Sequence, residues 1–215
     1  MKNFYRYIAL VFTTFGCRFA YRMMDSTLPK YMTRTIGSTS MYGVVVLTNP
    51  LANLFFAPLL TSLVYLFSNY TLMIIGSIIV TLSCFIPIIQ SSYAIFVIFW
   101  IVLGFGESIF SPRLWEYTIQ ICPKGKEGTY MAIASLPIAL GGFFAGVLSG
   151  ILLEGFCPEG GSDLCPVLWF TTGLISATTI LLMIVLRFCV EEPAYDPEPF
   201  WPCSSEAKEP KLLSK

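Results

Sequence analysis

From Thr35 to Gly106 the chain reads TIGSTSMYGVVVLTNPLANLFFAPLLTSLVYLFSNYTLMIIGSIIVTLSCFIPIIQSSYAIFVIFWIVLGFG, without one aspartate, glutamate, lysine or arginine. Two more uncharged stretches follow, Gly128 to Leu153 and Leu164 to Leu186. Apolar runs of about 20 residues cross the hydrocarbon core of a bilayer, about 30 Å thick, as helices. A helix is the form in which such a run satisfies its own backbone away from water. Over the 215 residues, 55% are hydrophobic and 12% charged, against about 25% charged in a soluble domain. The expected fold class is therefore an all-α membrane protein in intimate contact with lipid. Thirteen basic and thirteen acidic residues give zero formal net charge, so no nucleic-acid partner is expected. Histidine is absent, which leaves carboxylates to carry any proton chemistry and removes imidazole metal sites.

Turn residues divide the chain into six expected spans, over about 5–33, 41–67, 72–90, 93–120, 129–153 and 166–188. Together residues 1–188 form a six-helix bundle, and 189–215, with five prolines and six acids, reads as a disordered cytoplasmic tail. An even number of spans places both termini on one side, with Lys2, Arg6, Lys124, Lys126, Arg187, Lys208, Lys211 and Lys215. The other side holds Lys30 and Arg34. The excess of lysine and arginine makes the terminal side cytoplasmic. A secretory signal is excluded at the amino end, because Arg18, Arg22 and Asp25 stand where a cleavage site belongs. The Asn69 sequon is then cytoplasmic and unused. Cys157 and Cys165 fall in the longest loop on the opposite side, where a disulfide is plausible in an oxidising compartment.

Charges inside spans carry the functional signal, since each costs about 2.5 to 3.5 kcal/mol at the centre of an inserted helix. The first span holds Arg18, Arg22 and Asp25, which at 100° per residue fall within about 60° of one another. Their summed cost of about 9 kcal/mol exceeds the gain of about 6 from the apolar residues of the same span. That stripe, with Tyr21, must face a cavity or a partner. Glu107 lies midway along the fourth span, with Gly104, Ser111 and Thr118 on its face, and is the answering charge. We expect Glu107, Arg18, Arg22 and Asp25 to bind substrate and protons, with Tyr21, Asn49 and Ser111 lining the cavity. Arg113 and Glu116, three residues apart, are expected to form a gating or structural pair. The alternative for the whole set is a static lock of buried ion pairs.

The first and fourth spans hold equivalent positions if the six form a 3+3 inverted repeat, an arrangement that places substrate sites at the midplane of secondary transporters. In the fifth span Gly142, Gly146 and Gly150 recur every four residues with Gly141, Ala145 and Ser149 alongside, a small-residue ridge on which another helix can pack, within the chain or from a second copy. No Ser-His or Cys-His pair, metal-ligand cluster or Gly-rich phosphate loop is present. Neither an enzyme nor a cofactor or metal is expected.

The run Glu107, Ser108, Ile109, Phe110, Ser111, Pro112, Arg113, Leu114, Trp115, Glu116 resembles the tenth transmembrane helix of the proton-dependent oligopeptide transporters, whose pattern is Glu-Leu-x-x-Ser-Pro-x-Gly-Leu-Glu. The likeness continues through Pro123 and Gly128 into the small-residue helix. Ser108 and Leu114 depart from it, as do Arg18, Arg22 and Asp25 in place of an acidic-aromatic pattern. The resemblance implies the major facilitator superfamily, with the six spans as the carboxy-terminal half of its twelve-helix fold. It also implies that Glu107 helps bind substrate or couple protons, and that the first and fourth spans line the central cavity. The expected function is alternating-access transport of a small polar or anionic solute with protons, as a half-transporter or fragment. A second six-helix half or a homodimer would complete the cavity. The competing expectation is a membrane interaction or regulatory protein derived from a transporter.

Overall fold

The computed structural model describes residues 2–37, 40–61, 67–123, 125–159 and 164–187, and among them there is no strand. Among the described residues eight helices run in order: α1 Lys2–Thr13, α2 Phe15–Thr35, α3 Tyr42–Thr61, α4 Asn69–Ser83, α5 Ile86–Ile89, α6 Tyr93–Ile121, α7 Glu127–Phe156 and α8 Val167–Arg187. The starts of α4 and α6 are capped by hydroxyls: the Ser68 side chain accepts from the Thr71 amide at 3.3 Å and that of Ser92 from the Ile95 amide at 3.4 Å. Each cap satisfies an amide that has no partner in the first helical turn. The expected tail over 189–215, with Cys189 and Cys203, lies outside the described residues, as does Lys124.

Five helical segments among the described residues are long and apolar enough to cross a membrane: Tyr42–Leu60, Asn69–Ile89, Tyr93–Ile121, Glu127–Phe156 and Val167–Arg187. The amino-terminal segment differs from them. It is two helices that part at Thr14, and α2 carries Arg18, Arg22, Asp25, Lys30 and Arg34. The parting has a local cause. Thr13 Oγ1 donates to the Leu10 carbonyl at 2.6 Å and Thr14 Oγ1 to that of Val11 at 2.7 Å, back-bonding that competes with the helix ladder and bends it. The Cys17 amide turns to Thr179 Oγ1 of α8 at 3.1 Å.

In the packed bundle α6 lies along α4 on one side and α3 on the other, α2 lies along α7 and α8, and α8 also meets α4. Small residues set the closest approaches. A Cβ added at Gly76 would come within 2.8 Å of the Phe110 amide nitrogen and Cβ, and one at Gly141 within 3.2 Å of the Phe19 amide nitrogen. These contacts hold α4 against α6 and α7 against α2 at backbone range, as small-residue interfaces in membranes do. One end of the bundle is closed by rings: Tyr31 meets Trp169 edge-on at 5.0 Å and Phe96 at 5.9 Å between centroids, and the Tyr31 hydroxyl lies 2.9 Å from Ser91 Oγ. At that end Cys157 and Cys165 form a disulfide, both buried, and Arg34 Nη1 donates to the carbonyls of Leu153 at 2.8 Å and Cys157 at 2.6 Å. A cation at the carboxyl end of α7 suits both the helix dipole and the carbonyls left free there.

Candidate functional site

Three helices converge on Glu107. It sits in the middle of α6, Arg18 reaches it from the first turn of α2, and Asn49 and Asn53 reach toward it from α3. Arg18 Nη1 lies 3.9 Å from Glu107 Oε1, with side-chain exposures of 10% and 20%. At that separation the charges attract without a tight hydrogen bond. The closer contact of the guanidinium is Nη2 to Ser111 Oγ at 3.1 Å, and Arg18 Cζ stands over the Phe110 ring, 5.3 Å from its centroid. Glu107, Phe110 and Ser111 are spaced i, i+3 and i+4, so one face of α6 presents a carboxylate, a ring and a hydroxyl to a single arginine.

The carboxylate has a separate support. Asn53 Nδ2 donates to Glu107 Oε2 at 3.3 Å and to Asn49 Oδ1 at 2.6 Å. Ser108 Oγ lies 2.6 Å from Asn53 Oδ1 and 2.7 Å from the Gly104 carbonyl, so its single proton is shared between two acceptors. Through these contacts the amide plane of Asn53 is turned with its donors toward Glu107. Arg18 Nε and Asn49 Nδ2 are buried without a hydrogen-bond partner. Pro50 in α3 and Pro112 in α6 each remove one rung of a helix ladder beside this cluster. Cys17, Arg18, Tyr21, Val80, Glu107 and Phe110 line a pocket with about 10 Å³ of free space, room for one water at most. The pair keeps some exposure, but there is no room beside it for a larger ligand.

Arg22 and Asp25 lie apart from that pair. Arg22 Nη1 is 3.6 Å from Asp25 Oδ2, with side-chain exposures of 43% and 37%. Among the described residues no hydrogen bond or ion pair joins either to Glu107. They edge instead an open groove of about 580 Å³ between α2 and α7, with Ser26, Ser135, Gly142 and Phe143. The stripe expected on the first span is thus divided. Its inner member meets α6, and its outer two meet each other beside α7. Tyr21 lies between, half-buried, with its ring edge-on to Trp100 at 6.2 Å. Asn49 is buried, and Ser111 accepts from Arg18 rather than lining open space. Arg113 Nη1 meets Glu116 Oε2 at 2.6 Å, the arginine side chain 8% exposed and the carboxylate 35%.

Asn53, Ser108 and Phe110 belong to the cluster although the sequence pattern did not single them out. A neutral amide four residues after Asn49 and a serine directly after Glu107 carry no charge to mark them. Phe110 is one aromatic among eighteen phenylalanines.

The glycine ridge on α7 also has two sides. Gly141, Ala145 and Ser149 are buried, with Gly141 against α2. Cβ atoms at Gly142, Gly146 and Gly150 would meet nothing within 4 Å. The ridge that repeats every four residues therefore has no partner among the described residues.

Long apolar helices packed around mid-helix charges define an integral, multi-pass membrane protein. The chain belongs to the Major Facilitator Superfamily, whose family model matches residues 10–211. It is 27% identical over 140 residues to the uncharacterised MFS-type transporter YttB of Bacillus subtilis (strain 168), covering 64% of this chain and 35% of YttB. It is 26% identical over 194 residues to the uncharacterised MFS-type transporter YqjV of the same organism, covering 89% of this chain and 45% of YqjV. The chain thus spans less than half the length of the curated relatives it matches. Among solved structures, its fold is shared by an auto-inhibited POT family peptide transporter at TM-score 0.65 and 18% identity, over 89% of this chain and 40% of that one. It is shared equally by a bacterial homologue of the human lysosomal transporter Spinster, inward-facing and unoccupied, at TM-score 0.69 and 17% identity, over 94% and 46%.

Proposed function

We propose that this chain is a six-helix half of a secondary transporter, in which α1 and α2 together make the sixth span and two groups of three spans are related as an inverted repeat. The half corresponds to the carboxy-terminal one, and its solute is small and polar or anionic. Membership of a superfamily named for facilitators supplies the class. The observation that carries the mechanism is the buried contact between Arg18 and Glu107, which joins α2 to α6. An ionisable pair inside a membrane is costly, and such groups mark substrate or proton pathways by default.

Glu107 is the proton site. While it is ionised, its attraction to Arg18 keeps the two helices together. A proton arriving on Glu107 cancels that attraction and releases the carboxylate side of the Arg18 guanidinium. Arg18 then takes the anionic group of the solute, and Arg22 offers a second cation along the groove between α2 and α7. Arg113 and Glu116 gate the far end of α6. A second half, or a second copy, covers α3 and the open glycine ridge of α7. Both termini face the cytoplasm, a reading supported by the lysine and arginine bias and by the buried disulfide at the opposite end.

The test is proton-driven uptake into vesicles holding the full chain with its partner half. Glu107→Gln abolishes acceleration by an inward proton gradient while leaving the protein folded. Coupling that survives this substitution removes Glu107 from the mechanism.

A further inference from the structure

The two charges of the site rest on different supports, and the arginine's support does not need the carboxylate. Glu107 is held from α3 by Asn53, itself oriented by Ser108. Arg18 is held by a hydrogen bond to Ser111 Oγ at 3.1 Å, closer than the 3.9 Å to Glu107, and it stands over the face of Phe110, 5.3 Å from the centroid. Phe110 is itself fixed: it is 2% exposed, and Gly76 brings α4 up to its backbone. Its ring cannot swing away as a surface ring would. The attraction of a ring face for a guanidinium, and the hydrogen bond from Ser111, persist whatever the charge on Glu107.

We propose that Phe110 and Ser111 are positioning residues that hold the Arg18 guanidinium in place when Glu107 is neutralised, so that neutralisation uncovers a fixed anion-binding site instead of freeing a mobile arginine. The inference rests on Glu107 being the proton site and goes beyond it by setting the order of events, proton first and anion second. A buried guanidinium that loses its carboxylate is left with an uncompensated charge. A carboxylate-bearing solute restores the balance, and Arg18 Nε, buried and without a partner, supplies a free donor on the guanidinium edge for a second oxygen.

The other groups around the pair are few. From α2 come Cys17, Tyr21, Arg22 and Asp25, from α3 the neutral amides Asn49 and Asn53, and from α4 the apolar Val80. Arg22 and Asp25 are engaged with each other. The space of about 10 Å³ beside the pair is too small for a carboxylate, so the anion takes the place of the neutral Glu107 carboxyl as that side chain turns away, while Arg18 stays on Phe110 and Ser111 of α6.

Acetate is titrated against the full chain in detergent, with calorimetric binding and thermal midpoint as readouts, and Glu107→Gln serves as the neutral state. Glu107→Gln binds acetate more tightly than the unsubstituted chain at neutral pH. Adding Phe110→Leu to that background weakens acetate binding by about fivefold, Ser111→Ala weakens it similarly, and Phe110→Tyr restores it. Circular dichroism at the binding temperature checks that each variant is folded, and Phe110→Tyr keeps the test alive if Phe110→Leu is not. Acetate affinity raised by Glu107→Gln but unmoved by Phe110→Leu and Ser111→Ala overturns the positioning role and leaves the proton site standing. Affinity unmoved by Glu107→Gln itself overturns the proton-site reading, and the inference with it.

Discussion

Arg18 and Glu107 show how far two residues can organise a membrane bundle. Each alone is expensive in hydrocarbon, and each is tolerable because the other is there. Removing one partner of a buried pair leaves the other charge uncompensated, at a cost of about 3 kcal/mol, whereas removing both costs far less. The expected result is a cycle in which Arg18→Met and Glu107→Gln each lower the thermal midpoint of the detergent-solubilised chain, and the double substitution recovers most of the loss. Additive losses in the double variant would show that the two side chains do not interact. The sequence made this pair legible because a charge in an apolar run stands out against its neighbours. It did not make Phe110 legible, since a ring does not break the pattern of an apolar helix, and of the two amides on α3 it singled out Asn49 but not Asn53, the one that meets Glu107 at 3.3 Å. Arg22 and Asp25 were legible as part of the stripe but not as a pair engaged with each other. Helical spacing put them on the Arg18 stripe, but a stripe several turns long meets different neighbours along its length.

At the scale of the element, the interface between α4 and α6 is where packing and site meet. Gly76 and Phe110 touch at backbone range, so the ring that stands under Arg18 is placed by a glycine on a different helix. A larger residue at Gly76 must push α6 away or displace the ring. Gly76→Val is therefore expected to cost about 2 kcal/mol of stability, the usual scale of overpacking, and to weaken proton coupling without touching a charged group. Gly142→Val, on the far more glycine-rich α7, has open space around it and should leave the stability of the isolated chain within about 0.5 kcal/mol. Equal losses at the two positions in a denaturant or thermal titration would contradict this division. Glycine spacing alone showed a small-residue ridge on α7, but the face that packs inside the chain is the neighbouring one, Gly141, Ala145 and Ser149. The parting of α1 from α2 was also hidden. Thr13 and Thr14 are ordinary helix residues until their hydroxyls turn back onto carbonyls, and no proline or glycine lies between the two helices.

For the whole molecule, burial is unevenly distributed among the long helices. The apolar windows of the α4–α5 segment and of α6 are each 50% buried within the chain, against 17% for α3 and 28% for α7. Lipid alone could cover such faces, but lipid does not call for glycine. On α7 the open positions are Gly142, Gly146 and Gly150, where a close-packed helix gains contact that an acyl chain would not need. The outward residues of α8, by contrast, are large and apolar, among them Leu181, Leu182 and Val185. We therefore expect protein against α7 and lipid against α8. Cysteine placed at Gly146 should give an oxidative crosslink in native membranes, to a second copy or to a separate six-helix chain according to the mass of the product. Leu182→Cys, equally exposed to thiol oxidants on the bilayer face, should not. The unsubstituted chain, whose Cys17 and Cys84 are buried, sets the background. Crosslinking of the two substituted chains to the same extent would mean that both faces meet only lipid and random encounters, and the half-transporter reading would then lack the partner it requires.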